Sequence, residues 1–393
     1  MSPRVGRTLA STRTSPGGAR SMETRSTRRA AVTGAAVLGV LAAVALVVLA
    51  VAPGSDRSDR RGLAGLVTGS SGTSAPPGPS ADGGPPPTAT AEAIRVEGEV
   101  PESSAAEPSG NFRTICVASH LAYDDPIVNP GEPGASHLHM FFGNTETDAS
   151  STYESLRAAG GSTCQGGILN RTGYWAPAVL DAEGQVVLPE FVSVYYKGTG
   201  TAAEVRSVDE LPPGLRMIAG YDAATGEGDH FDWYCEVTQD KGPTIPSCPE
   251  DELVGVVLPF PPCWDGVNLD SPDHRRHVAQ KVRDPHTGTE ACPDSHPVHL
   301  PELTIGIWYP HEGDSADWHL SSDRPPGEPA YPDGSTFHSD WFGAWDPEVQ
   351  ETWTERCIVG LLNCVGGELG DGTQLGGPEV GLPAGRVPAP PPP

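Results

Sequence analysis

Several common functional signatures are absent from this chain, and each absence removes a class of function. No CxxC pair occurs, which argues against a zinc ribbon or a thioredoxin-like redox site. The GxSxG, HExxH, Walker and Rossmann patterns are missing as well, so no standard hydrolase, metalloprotease or nucleotide-binding motif can be assigned. Any chemistry must therefore come from residues that meet only in the folded chain.

Positive charge is scarce beyond the N-terminus. Residues 1–61 hold ten arginines, and the rest of the 393-residue chain carries 15 basic and 48 acidic residues, a net charge of −33. A surface this acidic repels phosphate backbones, so we expect no nucleic-acid partner. It suits divalent cations, or it simply keeps the protein soluble.

One long hydrophobic run contrasts with this polar background. Residues 30–52 carry no charge and follow seven arginines. As a helix the run would extend about 35 Å, enough to cross a bilayer core of roughly 30 Å. The basic flank predicts a cytoplasmic segment 1–29, a single transmembrane signal anchor over 30–52, and an extracytoplasmic remainder at the cell membrane. A cleaved signal peptide is the alternative, because Ala50-Val51-Ala52 resembles a cleavage site, and the protein would then be secreted.

All eight cysteines lie between Cys116 and Cys364. An even number confined to an exported region predicts disulfide bonds. Eight cysteines allow many pairings, so spacing alone does not fix them. The short-range candidates are Cys116–Cys164, Cys235–Cys248, Cys263–Cys292 and Cys357–Cys364.

Composition divides the exported part into three. Residues 53–110 and 365–393 are rich in Pro, Gly, Ser and Ala, and we predict a disordered stalk and a disordered tail. The folded unit is then 111–364. Alternating strand patterns, such as 191–196 and 303–309, outnumber helix signals. We therefore predict a mainly β fold, a single β-sandwich or jelly-roll-like domain with long disulfide-tied loops and few short helices.

Three local signals predict individual elements. Residues 178–188 read as a hairpin with Gly184 in its turn. Ser151-Thr-Tyr-Glu154 is a capping box that would begin a short helix. Asp346-Pro347 would begin a second helix.

The twelve histidines fall between His120 and His338, and several belong to compact polar groups. His137 and His139 lie at positions i and i+2, which share a face of an extended segment. Residues 270–277 contain two carboxylates, two histidines and two arginines, and His338 is followed by Asp340. We hypothesise that these three groups converge on one polar site.

Each member of this site has a predicted role. Imidazole suits zinc, copper, iron and nickel, so a divalent transition metal is the candidate cofactor, with His137 and His139 as its ligands. The candidate catalytic residues are Asp273, His274, His277, His338 and Asp340, which could also transfer protons without a metal. The candidate substrate-binding residues are Arg276, which would hold an anionic group, and Trp175 and Trp264, which would stack on a sugar ring.

Eight blocks of the chain carry a resemblance to a known family: 125–131, 136–143, 174–177, 216–220, 260–266, 269–278, 292–301 and 337–346. In these blocks the chain resembles a family of exported proteins from fungi and actinobacteria, known as the DUF1996 domain. The blocks cover most of 112–357, although Trp341 stands where Phe is usual and His299 where Arg is commoner. The family has no assigned reaction. The resemblance therefore implies that the His-rich blocks are characteristic of the family, and nothing about the substrate.

Our leading hypothesis is a membrane-anchored, extracytoplasmic enzyme that acts on cell-envelope or environmental polysaccharide. One alternative is a non-catalytic module that binds glycan or protein at the cell surface. The other is a protein that binds metal without turnover.

Overall fold

The computed structural model describes residues 93–95, 109–228, 230–239, 241–378 and 380–393, all within the compact unit from Gly65 to Pro393. The predicted cytoplasmic segment 1–29, the predicted anchor 30–52 and nearly all of the predicted stalk lie outside the described residues. In the part that is described, no helix has both the length and the apolar character needed to cross a membrane.

The described chain is mainly β. Its first strands are β1 (Ala93–Arg95), β2 (Asn111–Cys116), β3 (Ala118–Ala122), β4 (His139–Gly143), β5 (Gly173–Pro177), β6 (Val179–Leu180), β7 (Gln185–Leu188), β8 (Phe191–Lys197), β9 (Arg216–Gly220), β10 (Asp232–Cys235), β11 (Lys241–Gly242) and β12 (Val254–Pro259). The strands that follow are β13 (Cys263–Trp264), β14 (Val278–Ala279), β15 (Val282–Arg283), β16 (Glu290–Ala291), β17 (Val298–His299), β18 (Glu302–Tyr309), β19 (His319–Leu320), β20 (His338–Phe342), β21 (Asn363–Cys364), β22 (Thr373–Leu375) and β23 (Gly385–Pro388).

The helices in the described residues are short. They are α1 (Tyr153–Ala158), α2 (Ala202–Val205) and α3 (Pro347–Trp353), the 3-10 turns Gly167–Leu169 and Ser315–Asp317, and a π-helical segment, Thr354–Val359, that continues α3.

Two helix starts can be compared with their predicted caps. Asp346 caps α3 as predicted, since its carboxylate accepts hydrogen bonds from the second and third backbone N–H groups of the helix. The predicted start of α1 is wrong by one residue. Thr152 is the cap and exchanges hydrogen bonds with Ser155, because the Ser151 hydroxyl already accepts from the backbone N–H of Asp148.

Two sheets dominate the fold. The larger has seven strands in the order β11-β10-β12-β18-β8-β2-β21, antiparallel except for the parallel pair β2–β21. The second has five antiparallel strands in the order β3-β4-β5-β20-β9. Smaller sheets have the orders β19-β6-β7-β23, β14-β13-β17, β15-β16 and β1-β22.

Both large sheets contribute side chains to one buried core. In the seven-stranded sheet, Val194 on β8 is paired with Ile305 on β18, and both side chains are buried in this core. These two strands correspond to the segments 191–196 and 303–309, where the alternating pattern predicts strands. Tyr174 enters the same core from the five-stranded sheet, and its hydroxyl lies 3.0 Å from that of Tyr196 on β8. The predicted mainly β fold is therefore confirmed. The predicted hairpin is also present, since β6 pairs with β7 around Gly184, whose φ of +74° suits glycine.

Residues 365–393 differ from the predicted disordered tail. They contain β22 and β23, and β23 pairs along the whole of β7. The Arg386 guanidinium also forms ion pairs with Asp181 at 3.1 Å and with Asp314 at 2.8 Å. Composition fails here because the order of the tail comes from an edge strand and acids elsewhere in the chain, which a local count of Pro and Gly does not register.

All eight cysteines are paired. The four disulfides join Cys116 to Cys164, Cys235 to Cys248, Cys263 to Cys292 and Cys357 to Cys364. These are the four short-range candidates, so that prediction is confirmed.

Candidate metal centre

The candidate site lies on the face of the five-stranded sheet that points away from the main core. Side chains alternate along β4, so Met140 and Phe142 enter the main core while Phe141 points to the opposite face. On that opposite face, Phe141, Trp175 and Ile218 belong to a second, smaller buried cluster. His139 shares the face of Phe141, because the two residues are two positions apart on the strand.

Three histidines converge at one end of this face. His139 begins β4 and His338 begins β20, with β5 between the two strands, while His137 lies two residues before His139. One ring nitrogen of each histidine lies within 4.8 Å of those of the other two. The His137 ring centre is 4.2 Å from that of His139 and 5.1 Å from that of His338. We call these three residues the His triad.

Backbone carbonyls fix the tautomers of two of these rings. Nδ1 of His139 lies 2.9 Å from the carbonyl oxygen of Asp124, and Nδ1 of His338 lies 2.9 Å from that of Thr336. A carbonyl oxygen can only accept, so each Nδ1 donates its hydrogen and each Nε2 keeps a free lone pair. Nε2 of His139 and Nε2 of His137 are buried without a hydrogen-bond partner.

The surroundings keep these imidazoles neutral. Burial lowers the pKa of His139 to about 4, against a usual value near 6.5. Burial and the neighbouring His139 lower the pKa of His338 to about 4, and burial holds the pKa of His137 well below its usual value. Neutral rings with unpaired Nε2 atoms are the form that binds a metal ion.

A buried carboxylate lies on the same strand and face as His338. Asp340 is 1 % exposed, and the strand register places it between Trp175 on β5 and Ile218 on β9. Its Oδ2 has no hydrogen-bond partner. Burial and then the charge of Asp125 raise the pKa of Asp340 well above its usual value.

Asp125 is the second buried carboxylate of the site. It is 4 % exposed, and its Oδ1 accepts hydrogen bonds from the backbone N–H groups of Ile127 and Val128 at 2.9 Å. Burial raises its pKa, while His338 and His274 act in the opposite direction. Asp125 therefore lies within electrostatic reach of the His triad and of segment 270–277.

Only part of segment 270–277 faces the His triad. Arg275 donates to the carbonyl oxygen of Gly220, the residue opposite His338 in the strand register, and its charge acts on the pKa of both His338 and Asp340. His274 has a left-handed backbone with φ of +57°, and its Nδ1 lies 3.0 Å from the Asp270 carboxylate. Arg275 therefore borders the site beside His338, and His274 acts electrostatically on the carboxylate of Asp125.

A family model, "Domain of unknown function (DUF1996)", matches residues 125–345, more than half of the chain. The chain belongs to the DUF1996 family. No curated protein and no solved structure is similar enough to count as a match. The matched range of this DUF1996 chain includes the His triad, Asp125 and Asp340.

Three of the sequence-predicted residues of the DUF1996 domain are not gathered into the site. His277 is buried, but its Nε2 donates to the carbonyl oxygen of Arg216 at 2.6 Å and its Nδ1 lies 3.1 Å from the Ser271 hydroxyl. Asp273 and Arg276 form an ion pair with each other, and the Arg276 side chain is 79 % exposed. Both ring nitrogens of His277 are therefore engaged in hydrogen bonds within the fold. The Asp273–Arg276 pair points toward solvent.

The two tryptophans proposed as sugar platforms differ in exposure. Trp175 is fully buried and stacks on Phe141 with ring centres 5.6 Å apart, so its face is closed to a sugar and that predicted role is withdrawn. Trp264 is half-buried against the main core, and its indole N–H donates to the carbonyl oxygen of Asn268 at 2.6 Å.

Sequence reasoning assigned no role to Asp124 or Asp125. Asp125 could have been found, since it begins the first block that resembles the family. Asp124 contacts His139 through its backbone carbonyl oxygen, an acceptor that the residue type does not reveal. A separate cavity of about 230 Å³, lined by residues 144–159 including Asn144, Glu146 and Asp148, contains none of these residues.

Proposed function

We propose that this DUF1996 domain binds one divalent transition-metal ion through His137, His139 and His338. The observation that carries the proposal is the arrangement of the rings, with three ring nitrogens within 4.8 Å and Nδ1 of two rings donating to backbone carbonyls. Hydrogen bonds of this kind from the second ring nitrogen are typical of metal-ligating histidines, because they orient the ring and fix its tautomer.

The ligand set favours borderline metals. Three imidazoles suit zinc, copper and nickel, whereas magnesium and calcium prefer oxygen ligands. Three protein ligands leave a fourth position for water or substrate, which is typical of catalytic zinc sites. Met140, the nearest sulfur in the sequence, belongs to the main core on the other face of β4, so its thioether does not join the set.

We further propose that the metal centre is catalytic and acts on cell-envelope or environmental polysaccharide. Asp340 supports this proposal, because it is a buried carboxylate with a free oxygen on the strand and face of His338. It could accept a proton from metal-bound water. His274 and Arg275 would border the substrate position.

Metal binding without turnover is the second candidate, and the buried Trp175 favours it. Because the Trp175 ring is buried, it cannot serve as the aromatic platform on which a sugar was predicted to stack.

We also propose that the two large sheets form a β-sandwich. The domain would lie outside the cytoplasm, held at the membrane by the predicted anchor 30–52, or be secreted if that segment is cleaved.

Metal content is the direct test. Purified full-length chain, equilibrated with zinc, copper or nickel and then dialysed, should retain about one ion per chain by mass spectrometry. His139→Ala and His338→Ala should each abolish retention. His286→Ala, a change at an exposed histidine, is the matched control and should retain the ion.

Failure of the wild-type chain to retain any of the three metals would refute the metal centre. Release of reducing ends from cell-wall polysaccharide by the metal-loaded wild type, and its loss in Asp340→Asn, would support catalysis. Metal retention without such release would favour the second candidate.

A further inference from the structure

Asp124 has three acceptor oxygens, and each accepts a hydrogen bond from a different segment of the chain, one of them from a ring of the His triad. Its carbonyl oxygen accepts from Nδ1 of His139 at 2.9 Å. Its carboxylate Oδ1 accepts from the backbone N–H of Gly134 at 2.9 Å, and Oδ2 accepts from that of Ala149 at 3.2 Å. From this geometry we infer that Asp124 is the positioning residue of the His triad. The inference rests on the proposed metal centre and names a residue that controls it.

The contact with Gly134 connects Asp124 to the second ligand, His137. The chain leaves β3, makes a loop over residues 123–136 and returns to β4. The backbone N–H of Ser136 donates to the carbonyl oxygen of Tyr123 at 2.9 Å, next to the bond between Gly134 and Asp124. The two bonds close the loop immediately before His137. Asp124 therefore positions the ring of His139 by a direct hydrogen bond. It positions His137 indirectly, through the backbone at Gly134.

The contact with Ala149 joins this loop to the next one along the chain. Ala149 donates to Oδ2 of Asp124, and its own carbonyl oxygen accepts from the backbone N–H of Gly131 at 2.6 Å. Residues 144–151 thus brace the loop from the side. With both ends and the middle of the loop held, the carbonyl oxygen of Asp124 has a fixed position against His139.

Aspartate suits this position because both carboxylate oxygens accept at once. Asparagine keeps one acceptor and places an N–H₂ group against a backbone N–H, and alanine removes both acceptors. In either variant the backbone carbonyl and the bonds Ser136–Tyr123 and Gly131–Ala149 remain, but the carbonyl is held less firmly because the carboxylate no longer bonds both Gly134 and Ala149. The ring of His139 should then lose its orientation, and metal affinity should fall by about 10- to 100-fold, as for other residues that support metal ligands.

The test compares zinc affinity in wild type, Asp124→Ala and Asp284→Ala by competition with a chromophoric chelator. Asp284 is the matched control, because its carboxylate also accepts two backbone N–H bonds, from His286 and Thr287, but it lies in the loop between β15 and β16. We expect Asp124→Ala to bind zinc at least about tenfold more weakly, with Asp284→Ala unchanged. The visible spectrum of the cobalt-loaded protein should change in Asp124→Ala alone, which a general loss of stability would not produce.

Equal zinc affinity in wild type and Asp124→Ala would overturn the inference while the metal centre stands. Absence of zinc binding by wild type would overturn both. If Asp124→Ala does not fold, as judged by circular dichroism without metal, Asp124→Asn gives the same comparison, and wild-type affinity in that variant would also refute the positioning role.

Discussion

Zinc should stabilise the protein against heat, and the His triad should account for the effect. A ligand that binds only the folded state at 100 times its dissociation constant adds about 2.7 kcal/mol. The roughly 285 described residues should unfold with an entropy of about 0.6 kcal/mol/K, taking about 2.1 cal/mol/K per residue. The expected rise in Tm is therefore about 4–5 °C, measured by calorimetry on the full-length chain.

His338→Ala removes one of the three ligands and provides the comparison. His338 is half-buried, so the change should disturb the apo fold less than the loss of fully buried His139. If the variant binds zinc a hundredfold more weakly, the same zinc concentration stabilises it by only about 0.4 kcal/mol, which raises its Tm by less than about 1 °C. Magnesium should give a smaller shift than zinc in wild type, because it prefers oxygen ligands. Equal zinc shifts in wild type and His338→Ala would refute the reasoning.

Two further predictions concern the fold. Removal of Cys116–Cys164, which closes a 48-residue separation, should cost about 4 kcal/mol in the loop-entropy treatment, against about 2 kcal/mol for Cys357–Cys364 with a separation of 7. Urea unfolding of the two Cys→Ala pairs measures the difference, and the reverse order would contradict it. The pKa of Glu252 is lowered in spite of its burial, because its carboxylate accepts from the backbone of Thr238 and Val237. An acid whose pKa is lowered by folding stabilises the protein at pH values above its pKa in the unfolded chain, about 4.5, and this stabilisation is lost as the pH falls through the folded-state pKa. The difference in unfolding free energy between wild type and Glu252→Gln should therefore shrink on acidification. If the difference in unfolding free energy stays constant with pH, the hydrogen bonds do not depend on the ionised form of Glu252, and the prediction is contradicted.

Local sequence patterns predicted the elements whose cause is itself local. The alternation in 191–196 and 303–309 corresponds to β8 and β18, and Asp346 caps α3. The four disulfides are the short-range pairs that cysteine spacing offered as candidates without fixing them, since neighbouring segments joined by short loops meet most easily. The tail was misread, because β23 depends on β7, some 200 residues earlier in the chain.

The candidate site was only partly predictable for the same reason. His137 and His139 share a face by strand geometry alone, but their meeting with His338 depends on β4 and β20 flanking β5. His277 looked equivalent to His274 in the sequence. Its position was decided by the carbonyl oxygen of Arg216, an acceptor that every residue carries and no side-chain pattern reveals. Trp175 is likewise buried with residues from distant parts of the chain, among them Ile127 and Leu156, which a local pattern does not reveal.

The ordered tail makes the C-terminus a poor place for a fusion. The Tyr123 hydroxyl donates to the carbonyl oxygen of Pro390 at 3.0 Å, and Pro393 lies against Gly134, so the last residues touch the loop held by Asp124. A polyhistidine purification tag appended there would place additional imidazoles next to this loop and would compete with the His triad for metal. Affinity handles for biochemical work on this protein therefore belong elsewhere, or should be removed before any titration with metal.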